Sequence, residues 1–180
     1  MSDTVLRGKA WVASGYVLAY EIVKQEFWTS RIDPTENAKW VMAGVAPEFD
    51  AEGAFASQGY TFIVAGHNFA GGGKSIEHVV TGIMGAGIRA VLADSFARLQ
   101  FRNAINYGLP FVTCKGISEK VQTGDELEVD LVTGTVRNLT RGVEAQAVPV
   151  PAFVQEVAAA GGMIPFIRAH IANATVGTLR

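Results

Sequence analysis

The sequence predicts an α/β fold: a central, mostly parallel sheet flanked by helices, with a small antiparallel extension. Three observations lead there. Short apolar runs at 60–65, 88–94 and 111–114 alternate with stretches of helical apolar spacing. That strand–helix–strand–helix–strand order implies parallel pairing through right-handed crossovers. Past Asp125 the pattern changes to period-two alternation, interrupted at Thr133-Gly134 and Arg141-Gly142, which reads as an antiparallel meander with one wet face. Finally, the 180 residues are 49% hydrophobic and 18% charged, enough apolar side chain for a core and too much for a disordered chain.

Taken along the chain, residues 9–13 read as a short strand and 19–28 as loosely helical. A break at 30–34 precedes a short capped helix at 35–42. Residues 47–59, polar and glycine-containing, read as a loop. The strand at 60–65 runs into a glycine-rich loop at 66–73, a helix at 75–84 and the strand at 88–94. Ser95 can cap a helix to about Tyr107, which Gly108 and Pro110 end. After the strand at 111–114 come the meander strands 126–132, 135–138 and 144–148, ended by Pro149 and Pro151. Two short helices, 151–160 and 163–172, are separated by Gly161-Gly162. The length predicts one domain over 1–180, with an N-terminal arm to about 59, an α/β core over about 60–116, and the meander and C-terminal helices beyond.

Composition narrows the function classes. Lys plus Arg is 15 against 17 for Asp plus Glu, a net charge of −2, which argues against a nucleic-acid or polybasic membrane binder. The lone Cys114 excludes an internal disulfide framework and a multi-cysteine metal centre held by this chain alone. The N-terminus has no apolar signal core, and no apolar run reaches the ~18 residues of a membrane span. The expectation is a cytoplasmic protein.

The informative stretch is Gly66-His-Asn-Phe-Ala-Gly-Gly-Gly-Lys-Ser-Ile-Glu-His78. It follows a strand and opens a helix, where exposed N–H groups and the helix dipole favour an anion and glycines let backbone approach a ligand. Lys74 adds a charge and Ser75 a hydroxyl. A phosphate-binding P-loop is one reading, but counting back from Gly73 places Asn68 where its first glycine must stand. The bland alternative is a glycine turn that packs helix on strand.

The same residues resemble a family. Gly66-x-Asn68-Phe69, Gly71-Gly-Gly73 and Glu77-His78 are similar to the small subunit of 3-isopropylmalate dehydratase, the swivel domain of the aconitase superfamily. The resemblance continues in order through 87–98, 102–110, Gly124-Asp-Glu-Leu-Glu-Val-Asp130 and Gly161-Gly-Met-Ile-Pro-Phe-Ile167. It implies an aconitase-like swivel fold and half an enzyme. The other half would be a larger partner subunit whose three cysteines hold a [4Fe–4S] cluster, its free iron acting as a Lewis acid on a hydroxy-acid substrate. It implies too that this chain, binding no cofactor itself, swings a Gly-Ser-Ser-Arg-Glu-His loop over that cluster. In that loop the first Ser is the base that takes the carbon-bound proton, and the Arg clamps a carboxylate.

The departures fall on the chemistry. Aligning Gly71 to His78 with the motif leaves Ala70 as one extra residue and puts Lys74, Ser75 and Ile76 at the Ser-Ser-Arg positions. Leu18-Ala19-Tyr20 stands where the family carries an Asp-Thr-Asp, with Glu21 the nearby carboxylate. Residues 27–31 replace the loop that in the family reads the substrate's side group. An isoleucine cannot make a bidentate contact to a carboxylate, so ordinary isopropylmalate chemistry is not the expectation. Three readings stay open: hydration or dehydration of a different acid, a related proton-transfer or isomerising reaction, and a non-catalytic paralogue that binds a partner or a small anion. The candidate catalytic residues are Lys74 and Ser75. The candidate substrate-binding residues are Gly71, Gly72, Gly73, His67, Asn68 and Arg31. Without its large subunit the chain is a candidate for self-association. Glu77 and His78 in the first helical turn, Arg98 and Arg102 four apart on one helix, Cys114 and Trp40 read better as structural.

Overall fold

Fourteen elements organise residues 4–30 and 32–177, the residues that this computed structural model describes. In chain order they are β1 (Val5–Val12), α1 (Ala19–Ile22), α2 (Pro34–Ala38), β2 (Phe62–Ala65), α3 (Glu77–Gly85), β3 (Ala90–Ala93) and α4 (Arg98–Tyr107). There follow β4 (Phe111–Thr113), α5 (Ile117–Lys120), β5 (Glu126–Asp130), β6 (Thr135–Asn138), β7 (Val143–Gln146), α6 (Ala152–Ala159) and α7 (Met163–Gly177).

The strands form one seven-stranded mixed sheet in the order β4-β3-β2-β1-β5-β6-β7. Strands β4 to β1 pair in parallel, with Val64 opposite Leu92 and Leu92 opposite Val112. Strands β5 to β7 are antiparallel and continue the same sheet. The N-terminal segment is thereby woven into the centre: residues 5–9 of β1 pair with β5 and residues 10–12 with β2.

The period-two rule sorts each parallel strand onto two cores. Ile63, Ala65, Val91 and Ala93 join Trp11, Ile22, Phe49, Phe55 and the α3 residues Val79, Val80 and Ile83 on one face. Phe62, Val64, Ala90 and Leu92 join Leu6, Val112, Leu127, Val129 and Val136 on the other. Both faces of β2 and β3 are covered, so these strands read as continuous apolar runs rather than alternating ones. Truncating a fully buried ring such as Phe62 to alanine should cost about 3–5 kcal/mol.

Local departures from expectation have identifiable causes. The helix expected at 35–42 stops at Ala38. Asp33 caps it through Oδ1, which accepts from the N–H groups of Thr35 and Glu36, and Met42 turns left-handed at φ 66°. The helix expected over 19–28 divides into α1 and a 3-10 turn at Gln25–Phe27, because Val23 is extended. The loop at 47–59 carries two 3-10 turns that bury Phe49 and Phe55, which meet Trp11 edge-on at 5.5 and 5.3 Å. Ser95 does not cap α4; the N-cap position is Ala97, and the Ser95 hydroxyl is used elsewhere. The 15-residue α7 outruns the helix expected at 163–172.

Candidate active-site loop

The glycine-rich loop leaves the carboxyl end of β2, where open α/β sheets bind ligands. Its first turn is held by side chains rather than by secondary structure. Asn68 is left-handed at φ 52°, its N–H donates to Ser95 Oγ at 2.8 Å, and its side-chain amide donates to the Tyr16 hydroxyl. Ser95 Oγ also lies 2.8 Å from His67 Nδ1. With the Asn68 N–H already donating to that oxygen, the serine's one proton is free for the imidazole.

The loop then hydrogen-bonds to the segment after β1. Gly71 N–H donates to Val17 O at 3.0 Å and Ala19 N–H to Gly71 O at 2.9 Å. Tyr16 and Tyr20, both exposed, stand over Gly71 and Gly72, and a Cβ at Gly71 would overlap the Tyr16 hydroxyl. The backbone turns left-handed here: buried Ala70 adopts φ 59°, and Gly72 and Gly73 follow at 100° and 71°.

Lys74 and Ser75 come next, exposed, and they open onto different hollows. Lys74 lines one with Tyr20, Lys24, Gln25 and Glu26. Ser75 lines another with Trp28, Ile32, Ile76, Glu77 and His78. Lys24 is paired with Asp50 at 2.8 Å, whereas the Lys74 ammonium has no ion pair among the described residues. Behind the loop, α4 presents two buried amides. Gln100 Nε2 donates to Lys74 O at 3.2 Å. Asn103 places Nδ2 and Oδ1 at 3.1 and 3.2 Å from Ser75 Oγ.

The structure thus gathers Gly71, Gly72, Gly73, Lys74 and Ser75 on one loop, with Asn68 fixing its entry. His67 is exposed and tied to Ser95, and it lines neither of the hollows onto which Lys74 and Ser75 open. The role expected for Arg31 lies outside the described residues. Ile76, expected at the position of the family's arginine, is 5% exposed and packs in the core. Glu21 accepts from the Leu18 N–H at 2.9 Å, capping its own helix. Glu77 accepts from the Tyr107 hydroxyl at 3.0 Å; burial, and then that carboxylate, raise the phenol's pKa. His78 stacks on Trp28 and lies 3.0 Å from Thr29 O, anchoring the segment before Arg31.

Sequence reading missed Tyr16, Ser95, Gln100 and Asn103. The signal available for the last two was a pair of amides three apart on the stripe of α4 that also carries Ala104, and buried amides demand partners.

Among the described residues no three His, Cys, Asp or Glu side chains come together to hold a metal ion. Cys114 is a single buried thiol whose pKa burial pushes up. The donor set present does not fit an iron–sulfur cluster.

Known proteins similar to this chain point to one family. Residues 12–115 match the family described as the aconitase C-terminal domain. The isopropylmalate/citramalate isomerase small subunit of Methanocaldococcus jannaschii is 42% identical over 170 residues, 94% of this chain and 98% of that protein. The 3-isopropylmalate dehydratase small subunit 1 of Methanopyrus kandleri is 42% identical over 164 residues, 91% of this chain and 93% of that protein. A crystal structure of 3-isopropylmalate dehydratase from Methanocaldococcus jannaschii superposes with a TM-score of 0.83 at 29% identity, covering 96% of this chain and 99% of that one.

Proposed function

Because the chain belongs to the family of 3-isopropylmalate dehydratase small subunits, we propose that it is the loop-bearing half of a hydro-lyase whose Lys74 and Ser75 act on a hydroxy carboxylic acid. The other half is a large subunit of the aconitase superfamily. The [4Fe–4S] cluster that the family implies belongs to that subunit, and the chemistry it supplies lies there. The whole chain, 1–180, serves as one swivel-type unit, and a cytoplasmic setting goes with this reading.

The observation that carries the proposal is the division of labour on the loop. Lys74 is a cation with no ion pair among the described residues, in a hollow, suited to hold a substrate carboxylate as a point charge. Ser75 is the hydroxyl next to it, held by Asn103. In the dehydration direction Ser75 acts as the alkoxide, its own proton having passed to water beforehand, and takes the carbon-bound proton to become the hydroxyl. The released electron pair forms the carbon–carbon double bond, and hydroxide leaves from the neighbouring carbon; hydration is the reverse. Gly71 to Gly73 lead the backbone up to Lys74, and Asn68 and His67, both bonded to Ser95, fix the turn before them. With Ile76 in the core, the carboxylate is met by one lysine rather than by an arginine fork, so the substrate is a hydroxy acid other than isopropylmalate.

Anaerobic affinity purification of this chain from its source cells tests the reading, with iron and sulfide quantified and the complex assayed on a panel of hydroxy acids and their unsaturated partners. A stoichiometric large chain carrying iron and sulfide, turning over a member of that panel, is the expected result. A metal-free homo-oligomer alone, or a complex inactive on the whole panel, would replace the hydro-lyase with a paralogue that binds a partner or a small anion.

A further inference from the structure

We propose that Asn103 is a positioning residue for proton transfer, holding the Ser75 oxygen and the negative charge it carries before it takes the proton, and that Gln100 latches the loop behind it. The inference rests on the reading of Ser75 as the proton acceptor. Ser75 is an exposed loop residue, and such a hydroxyl is ordinarily left to water. Here it turns inward to Asn103, 7% exposed, whose Nδ2 lies 3.1 Å from Oγ and Oδ1 3.2 Å from it. The amide carbonyl fixes the hydroxyl's rotation while the proton is on the serine. The amide N–H meets the oxygen's charge once the proton has gone.

The second amide completes the arrangement. Gln100 is fully buried; its Nε2 donates to Lys74 O at 3.2 Å and its Oε1 accepts from Asn103 Nδ2 at 3.4 Å. One residue of loop backbone and one side chain are thereby fixed to the same helix. Lys74 and Ser75 open onto different hollows, so the peptide between them decides where each functional group points. No carboxylate or imidazole among the described residues hydrogen-bonds to Ser75, which leaves the amide as its protein-side stabiliser. A site on rigid elements holds its geometry better than one on a loop; this network lends helical rigidity to a loop.

A tie that merely holds the loop down predicts something different, and Asn103→Asp separates the two. The aspartate has nearly the same shape, lacks the donor and adds a negative charge beside the oxygen. In the reconstituted complex kcat should fall about 100-fold or more, with KM within about threefold. The rising limb of the kcat–pH profile should move up by about one pH unit or more. Combined with Ser75→Ala, the substitution should cost nothing further, since the two act as a unit. A structural tie would lower thermal stability, raise KM and lower kcat together, leave the pH profile in place and add to Ser75→Ala. Any of those last three results overturns the assignment. If the aspartate variant does not fold, Asn103→Ser keeps a donor on a smaller side chain: kcat should drop about tenfold at unchanged KM, and an unchanged kcat overturns the proposal. The failure of the underlying reading looks different: Ser75→Ala would then turn over like the wild type, whatever Asn103 does.

Discussion

The two halves of the sheet use polar side chains in opposite ways. In the antiparallel half they are paired with each other. Asp125 accepts through Oδ2 from the Gln122 N–H, from Asn138 and from Arg141 at 2.9, 2.7 and 2.7 Å, and Glu128 lies between Arg7 and Arg137. In the parallel half the strands are apolar on both faces, and polar groups gather on the loop beyond their carboxyl ends. There the Lys74 ammonium has no ion pair among the described residues, and the nearest buried polar groups are neutral amides. A paired charge stabilises the fold; an unpaired one beside neutral groups is available to a ligand. The single sheet therefore separates the paired charges that maintain its antiparallel half from the lysine proposed to meet substrate.

Substitutions should expose that separation, the largest effect coming where a charge is forced into the wrong half. Ile76→Arg would place an arginine where the resemblance expects one, yet position 76 packs among core side chains. Denaturant unfolding should register a loss of about 3 kcal/mol, with no gain in turnover. A stable variant with raised activity on dicarboxylates would show that position 76 faces substrate.

Asp125→Asn comes next, at about 2 kcal/mol, with the turnover of the folded complex unchanged. Burial pushes the Asp125 carboxyl up, but the bonds from Asn138, Gln122 and Arg141 outweigh it and hold the pKa below the ordinary 3.8. Such a carboxyl binds its proton less readily folded than unfolded. Its contribution is therefore complete above pH 3.8 and is lost as the pH falls through the lower folded value. Acid titration of stability should show that loss in the wild type and a flatter curve in the asparagine variant.

The smallest effect belongs to the loop. Ala70→Gly removes a left-handed alanine and should raise stability by about 0.5 kcal/mol, measured as a shift in the unfolding midpoint. A loss would mean that the alanine methyl matters more to packing than its backbone strain.

Much of this was legible in the sequence, for reasons that particular residues make plain. The strands near 62–65, 90–93 and 111–113 stand out because residues buried on both faces leave uninterrupted apolar runs, and glycine or proline bounds them. The loop was readable because Lys74 and Ser75 follow three glycines after such a strand. Other features depend on contacts distant in sequence. Phe49 and Phe55 lie in a polar, glycine-containing segment and are buried only because Trp11 meets them. Ser95 has the chemistry of a helix cap, but its bond to the Asn68 N–H, 27 residues away, prevails over the local one. Gln100 and Asn103 sit on the α4 stripe that also carries Ala104, but that spacing does not say what they bond to. What buries them is the loop docking on α4, which no local pattern encodes.

Steady-state kinetics of Lys74→Ala in the reconstituted complex, read beside its thermal unfolding, tests most directly the claim that the free charge on the parallel half serves substrate. A fall in kcat/KM of about 100-fold is expected with the unfolding midpoint unchanged, because Lys74 takes part in no ion pair among the described residues. Turnover within twofold of the wild type would contradict it.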